Sequence, residues 1–171
     1  AWVDMHTMDP MGWSLINNGA DFIWVSEKDG WRHIYQISRD GKEVKLLTTG
    51  YYDIGEIKCI DEAKNYIYFT ASPKNATQLY LYRVRLKEGS DAELVSDANL
   101  KGTHQYDISP TGKIAYHSFS NYNTPSVSEF ISLPDNKALD AAKSIAKNIK
   151  VNADNAVEYM TIITEDGVSL D

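Results

Sequence analysis

Four histidines, one cysteine and a scatter of acidic residues are the side chains of this sequence that could catalyse a reaction or bind a metal. The histidines are His6, His33, His104 and His117. None of them has the short spacing to another histidine, a cysteine or a carboxylate that is typical of a metal site. His33 and His117 lie in aromatic, strand-like segments, which favours packing or hydrogen bonding between structural units over catalysis.

The sequence also lacks the pattern of an activated nucleophile. The motif Gly-x-Ser-x-Gly, which exposes a catalytic serine on a strained turn, is absent, because Gly12 and Ser14 are followed by Leu15 and Ile16. Cys59 lies in an alternating apolar segment, so we expect a small buried hydrophobic residue there. One cysteine permits no internal disulfide, and no glycine-rich loop is present to hold a phosphate.

Most of the acidic residues fall at predicted turns, where carboxylates often accept local hydrogen bonds. They are Glu27, Asp29, Asp61, Glu62, Asp91 and Asp97. We interpret them as a solvated rim; a carboxylate site for a substrate amine is the alternative, and their spacing does not support it. Residues 75–77 fit a glycosylation triplet and mark a loop. We therefore assign no catalytic, cofactor-binding or metal-binding residue.

Composition narrows the class of protein. The chain has 171 residues, 43% of them hydrophobic, with 11 Tyr, 4 Trp and 4 Phe, which is enough for one core and leans towards β structure. The net charge of −7 argues against a nucleic-acid partner, since that binding needs clustered Lys and Arg. No apolar stretch approaches the roughly 20 residues of a membrane span, and no signal peptide is recognisable.

The elements that would position these side chains begin with residues 23–35, which predict a strand, a turn at Asp29-Gly30 and a second strand. On that second strand Trp31, His33 and Tyr35 share one face, because side chains alternate with a period of two. We expect these aromatic residues to pack one unit against the next. Turns at Asn18-Gly19 and Asp40-Gly41 complete a first unit.

The same plan recurs twice. Further strands are predicted at residues 54–61, 65–72, 79–85, 93–96, 105–109, 113–119 and 127–133. Ile23, Ile67 and Ile114 occupy matching places, separated by 44 and 47 residues. Four short strands with a period in the forties indicate the blades of a β-propeller, and the period disfavours a β-sandwich.

The predicted fold is therefore all-β, a partial propeller of about three four-stranded antiparallel blades covering residues 1–50, 51–100 and 101–134. Three blades do not close a ring, and both ends of the chain start or stop abruptly, so we expect an arc cut from a longer protein. The arc should expose apolar faces and associate into homo-oligomers.

Residues 135–155 are ambiguous. Leu139, Ala142, Ile145 and Ala146 fall near one face of a helix that Asp135 or Asn136 could cap. The repeat instead expects a last blade strand near residues 141–147. We favour a helix within a linker, followed by a strand and turn at residues 156–171.

Five segments carry a resemblance to a known family: residues 26–35, 47–50, 66–72, 81–84 and, above all, 117–125. They resemble the N-terminal propeller of the dipeptidyl peptidase IV-like serine peptidases, in the prolyl oligopeptidase clan. The resemblance runs in order over nearly the whole chain. It implies an eight-bladed propeller that caps an α/β-hydrolase domain and restricts entry to an exopeptidase that releases Xaa-Pro or Xaa-Ala dipeptides.

The resemblance also implies where the functional residues are. The catalytic triad would follow Asp171, the glutamates that hold the substrate amine would precede Ala1, and residues 156–171 would begin the catalytic domain. The partners would be the peptide substrate and the hydrolase domain, without a cofactor, in a periplasmic or secreted protein. The alternative is a protein-binding propeller of the WD40 or TolB-like kind, which needs no hydrolase.

Overall fold

The structure, a computed structural model, describes residues 13–139 and 160–170. Residues 13–139 form three four-stranded sheets, in each of which neighbours along the chain pair antiparallel. The first contains β1 (Trp13–Ile16), β2 (Asp21–Ser26), β3 (His33–Ser38) and β4 (Val44–Leu46). The second contains β5 (Ile54–Asp61), β6 (Tyr66–Ala71), β7 (Tyr80–Arg85) and β8 (Glu93–Leu94). The third contains β9 (Thr103–Ile108), β10 (Ile114–Asn121), β11 (Thr124–Ser132) and β12 (Lys137–Ala138).

The turns fall where the sequence predicts them. A single 3₁₀ turn, Asn17–Gly19, joins β1 to β2, with Asn18 at φ 54° and Gly19 at φ 81°. Gly41 and Gly112 take φ values of 73° and 60° between later strands. Asparagine and glycine tolerate this left-handed conformation better than other residues, which is why they stop one strand and start the next.

The first and second sheets pack through aliphatic side chains. Ile23 and Ile34 of the first sheet join Ile67, Phe69 and other residues of the second in one buried cluster. The sequence predicts that Trp31 lies on the same strand as His33 and Tyr35, but β3 begins at His33 and Trp31 lies in the loop before it. The side chains of the first sheet that contact the second sheet include Ile23 and Ile34.

The second and third sheets pack through a more aromatic cluster. Tyr68 and Leu81 of the second sheet meet Tyr106 and Ile131 of the third, with Cys59 among them. Successive residues of β6 alternate between the two clusters, so both faces of this sheet are buried. The second sheet is the middle of a three-layer stack.

The matched isoleucines of the repeat are not equivalent in space. Ile23 points towards the second sheet, whereas Ile67 points back towards the first, since both belong to the cluster between those sheets. Ile114 is 45% exposed, and its neighbour Ala115 is buried. The repeat of four strands per sheet is confirmed. The alignment of Ile67 with Ile23 and Ile114 is wrong by one residue, because a shift of one residue along a strand moves the side chain to the other face of the sheet.

The predicted all-β, partial propeller fold is confirmed. The outer faces of the first and third sheets have no neighbouring sheet among the described residues. Trp13 is 57% exposed on one of these faces and Phe130 is 43% exposed on the other. No helix within residues 13–139 and 160–170 is long and apolar enough to cross a membrane.

The predicted helix after residue 134 does not begin at Asp135 or Asn136. Asn136 has φ 54°, and Lys137–Ala138 pairs with β11 as the fourth strand of the third sheet. The last strand of the third blade, which the repeat predicts near residues 141–147, is thus present several residues earlier. Residues 140–155, with the rest of the predicted helix, lie outside the described residues. β13 (Ile162–Ile163) and β14 (Ser169–Leu170) form a separate hairpin.

Replacing Gly112 with alanine should destabilise the fold by about 2–4 kcal/mol. The alanine would be strained in the left-handed backbone conformation, and its Cβ would also clash with a neighbouring side chain. A Cβ there would lie 2.8 Å from the buried Asp61 Oδ2. Gly89 is the matched control, with φ 71° and nothing within 4 Å of its Cβ, so Gly89→Ala should cost about 1–2 kcal/mol. Urea unfolding measures both changes; equal losses would contradict the role of the Asp61 contact.

The open faces should make the chain associate in solution, because contiguous apolar surface is removed from water by contact. Sedimentation should show dimers or larger species whose fraction grows with concentration. Leu15→Lys, on the open face of the first sheet, should reduce association. Tyr51→Lys, at a residue that is exposed but lies in a loop, is the control and should leave it unchanged. A monomer at high concentration would contradict the prediction.

Candidate functional site

One end of the three-sheet stack carries a continuous set of loops. In an antiparallel sheet, the connections that follow the second and fourth strands leave at the same end. We call this end the loop rim; it consists of residues 27–32, 47–53, 72–79, 95–102 and 122–123. These segments combine exposed aromatic side chains with amide and hydroxyl groups.

Backbone and side-chain hydrogen bonds fasten the first part of the loop rim. Arg32 N–H donates to Asp53 Oδ1 at 2.7 Å, and Ile54 N–H donates to the Arg32 carbonyl at 2.9 Å. Trp31 meets Tyr51 edge to face, with ring centroids 6.4 Å apart. Tyr51 is 89% exposed, so this aromatic pair is held at the surface by the linker between the sheets.

The second part is fastened in a similar way. Leu79 N–H donates to the Gly102 carbonyl at 3.1 Å, and His104 N–H donates to the Leu79 carbonyl at 2.9 Å. Asn121 Nδ2 donates to the Lys101 carbonyl at 3.0 Å. The loop after the second strand of each sheet, or the end of that strand, is thus hydrogen-bonded to a linker between two sheets: residues 27–32 to the linker at 47–53, and Leu79 and Asn121 to the linker at 95–102.

Two grooves open on the loop rim. One, of about 360 Å³, lies among aromatic and apolar side chains, including Trp31, Tyr51, Tyr52, Pro73 and Leu79. The other, of about 570 Å³, is more polar. It is lined by residues that include Gln78, Lys101, Ser120, Asn121, Tyr122 and Asn123. Aromatic faces and amide groups are suited to contact peptide chains.

His33 is placed by its own loop. Its Nδ1 lies 2.8 Å from Asp29 Oδ2, and its ring meets Tyr52 edge to face at 6.2 Å. Burial acts against ionisation of Asp29, but the hydrogen bond with His33 holds the pKa of Asp29 below its usual value. Burial, with help from Asp29, raises the pKa of Tyr35 to about 12. The contacts of His33 and Tyr35 with Asp29 therefore hold the turn between β2 and β3 in place.

The other two described histidines lie together in the third sheet. His104 and His117 are buried, and their ring nitrogens are 2.9 Å apart. Their separation of 13 residues gave no sign of this contact, which depends on the pairing of β9 with β10. His6 lies outside the described residues.

The remaining candidates serve the local structure. Cys59 Sγ lies 3.6 Å from the Ser109 carbonyl, and burial raises the pKa of the thiol, so it stays protonated at neutral pH. Asp61 accepts from Lys64 N–H, Asp97 accepts from Asn99 N–H, and Glu62 accepts from Asn17 N–H. Within residues 13–139 and 160–170, no three His, Cys, Asp or Glu side chains form a group that could hold a metal ion.

Comparison with known proteins adds independent information. The protein-family model that describes the dipeptidyl peptidase IV (DPP IV) N-terminal region matches residues 1–126 of this chain. "Probable dipeptidyl peptidase 4" of Trichophyton verrucosum is 32% identical over 139 residues, which are 80% of this chain and 18% of the relative. Dipeptidyl peptidase 4 of Trichophyton rubrum is 30% identical over 139 residues, covering 80% of this chain and 17% of the relative.

A solved structure is similar in fold. The crystal structure of Porphyromonas gingivalis dipeptidyl peptidase 4 superposes with a TM-score of 0.75 at 20% identity, covering 94% of this chain and 22% of that chain. The chain therefore spans about a fifth of the length of the relatives that it matches.

The hydrogen bond from Arg32 to Asp53 should hold the loop rim in place. Asp53→Ala removes the acceptor and should speed hydrogen exchange at the Arg32 amide by about fivefold, since a lost hydrogen bond is worth about 1 kcal/mol. Asp53→Asn keeps an acceptor oxygen and should exchange at nearly the original rate. Hydrogen exchange measured by NMR distinguishes the two variants. Equal exchange rates in the unchanged protein and both variants would show that the bond from Arg32 to Asp53 does not hold the loop rim in place.

Proposed function

Because this chain belongs to the dipeptidyl peptidase IV family, within the N-terminal region, we propose that it is the non-catalytic propeller part of a serine exopeptidase. The parent enzyme releases Xaa-Pro and Xaa-Ala dipeptides from the N-termini of peptides. In it, the propeller restricts access to an α/β-hydrolase domain that carries the catalytic residues.

The observation that carries this proposal is the stack of three sheets, whose two outer apolar faces have no neighbouring sheet within residues 13–139 and 160–170. Ile23 and Ile34 hold the first sheet to the second, and Tyr106 and Ile131 hold the third. Such a stack continues naturally into further sheets on both sides, which is how a propeller ring is built. A rigid ring over an active site excludes folded proteins and admits short peptides.

The chemistry of the described residues supports a non-catalytic role. The imidazoles of His33, His104 and His117 bond to carboxylates, to a backbone carbonyl and to each other. The Cys59 thiol is buried, and its raised pKa keeps it protonated. A nucleophile needs an adjacent base or a lowered pKa, so we assign the chemical step to the hydrolase domain.

The loop rim is the face that we assign to the substrate cavity. The aromatic pair Trp31–Tyr51 and the polar groove beside Lys101 are exposed there on well-fastened loops. Selective contact with peptides needs such side chains on rigid supports. We further assign the hairpin of β13 and β14 to the beginning of the catalytic domain.

The direct test uses a chromogenic Gly-Pro substrate. The full-length protein should hydrolyse it, and this chain should not, because the groups that attack the peptide bond lie elsewhere. A longer substrate with the same N-terminus, embedded in a folded protein, should be cut far more slowly by the full-length enzyme. Hydrolysis by this chain, or its absence in the full-length protein, would overturn the proposal.

A further inference from the structure

Three polar side chains form a connected row inside the third sheet. His104 lies on β9, His117 on β10 and Glu129 on β11, and His117 pairs directly with Glu129 across the strands. His104 is 0% and His117 is 2% exposed, whereas the Glu129 side chain reaches the surface. All three lie on the face that packs against the second sheet.

The row makes three contacts. His104 Nε2 lies 2.8 Å from the Leu100 carbonyl oxygen. His104 Nδ1 lies 2.9 Å from His117 Nε2, with the two ring planes within 8° of each other. His117 Nδ1 lies 3.4 Å from Glu129 Oε1. Each contact needs one hydrogen between its two heavy atoms.

Counting protons shows that the row is one short. The Leu100 carbonyl and an ionised Glu129 can only accept, so all three hydrogens must come from the two imidazoles. Two neutral imidazoles carry one N–H each. With both rings neutral, one of the three contacts therefore brings two lone pairs together.

The distances locate the missing proton. The contact to Leu100 is short, so His104 carries its proton on Nε2 and accepts at Nδ1. The contact between the rings is also short, so His117 donates from Nε2. The contact of His117 Nδ1 with Glu129 is the longest of the three, and it is the one that lacks a hydrogen.

We propose that His104, His117 and Glu129 form a buried binding site for a single proton, which enters at His117 Nδ1 as the pH falls. The bound proton completes the row, because an imidazolium at residue 117 donates both to His104 and to the Glu129 carboxylate. This site goes beyond the proposed peptidase role and does not depend on it.

Other groups set the affinity of this site for the proton. Burial lowers the pKa of both imidazoles, and the Glu129 carboxylate partly offsets this for His117. Asp97, from the linker after β8, acts in the same sense on His104. Tyr80 on β7 packs on the His104 ring at 5.1 Å, and Tyr106 stacks on His117 at 4.6 Å. The site is thus part of the contact between the second and third sheets.

The direction of the pH effect follows from these pKa shifts. A histidine with a lowered pKa binds its proton more weakly in the folded protein than in the unfolded chain. The stability linked to this site is therefore complete above the usual histidine pKa of 6.5 and declines as the pH falls below it. At still lower pH, where the folded protein itself binds the proton, the contact of His117 with Glu129 should shorten and link β10 more firmly to β11.

Glu129→Gln tests the proton count. The glutamine amide can donate to His117 Nδ1, so the row is complete with two neutral rings. At pH 8 the variant should be more stable than the natural protein, with an unfolding equilibrium constant about fivefold smaller. At pH 5 this advantage should vanish or reverse, because the carboxylate that favours the bound proton is gone.

Glu88→Gln is the matched control, since it removes the same charge on an exposed turn and should change the unfolding constant equally at pH 5 and pH 8. A Glu129→Gln variant that is less stable at pH 8, or that shows the same difference at both pH values, would overturn the proposal.

A second measurement needs no variant. Nitrogen NMR of the imidazoles should show both rings neutral and protonated at Nε2 at pH 8. On acidification one proton should appear at His117 Nδ1 before His104 changes. A neutral His117 that carries its proton on Nδ1 at pH 8, or two protons entering together, would contradict the single-proton site.

Discussion

A four-stranded sheet with apolar residues on both faces must be covered on both sides, and this constraint governs the whole molecule. The second sheet satisfies it, because its strand β6 alternates between a cluster shared with the first sheet and one shared with the third. Burial of apolar area is the dominant favourable contribution to folding. Among the described residues the first and third sheets are each covered on one side only, so each presents a face on which a further sheet can pack.

The short-range features of this arc were predictable from sequence. Alternating residues specified the eight-residue strand β5, and glycine or asparagine fixed the turns at Asn18 and Gly41. The features that depend on partners far along the chain were not. The two-residue strand Lys137–Ala138 is held by β11 within a segment whose composition is helical, and tertiary pairing overrides such a weak preference.

The candidate site shows the same division. Turn residues such as Asp29 could be recognised locally, but the loop rim depends on linkers reaching back to earlier loops, as Asp53 does to Arg32. Nothing in a spacing of 13 residues indicates that two imidazoles will share a hydrogen bond. Strand pairing places His104 diagonally to His117, and that placement creates the buried polar row.

The buried row has a cost and a consequence for the stack. Placing two imidazoles and a carboxylate at the contact of two sheets has a cost wherever a hydrogen bond is left unmade, because an unpaired buried polar group costs about 1–3 kcal/mol. A purely apolar contact, like that of Ile23 with the second sheet, has no such requirement. The contact of the third sheet with the second therefore contains the paired imidazoles, whereas the cluster between the first and second sheets is mainly apolar.

We infer that this arc is part of a larger propeller in which both open faces are covered. Hydroxyl-radical footprinting of Trp13 and Trp24 tests it by comparing this chain with the full-length protein. Both side chains lie on the open face of the first sheet. We expect strong labelling in this chain and marked protection in the full-length protein; equal labelling in the two would show that no further sheet covers this face.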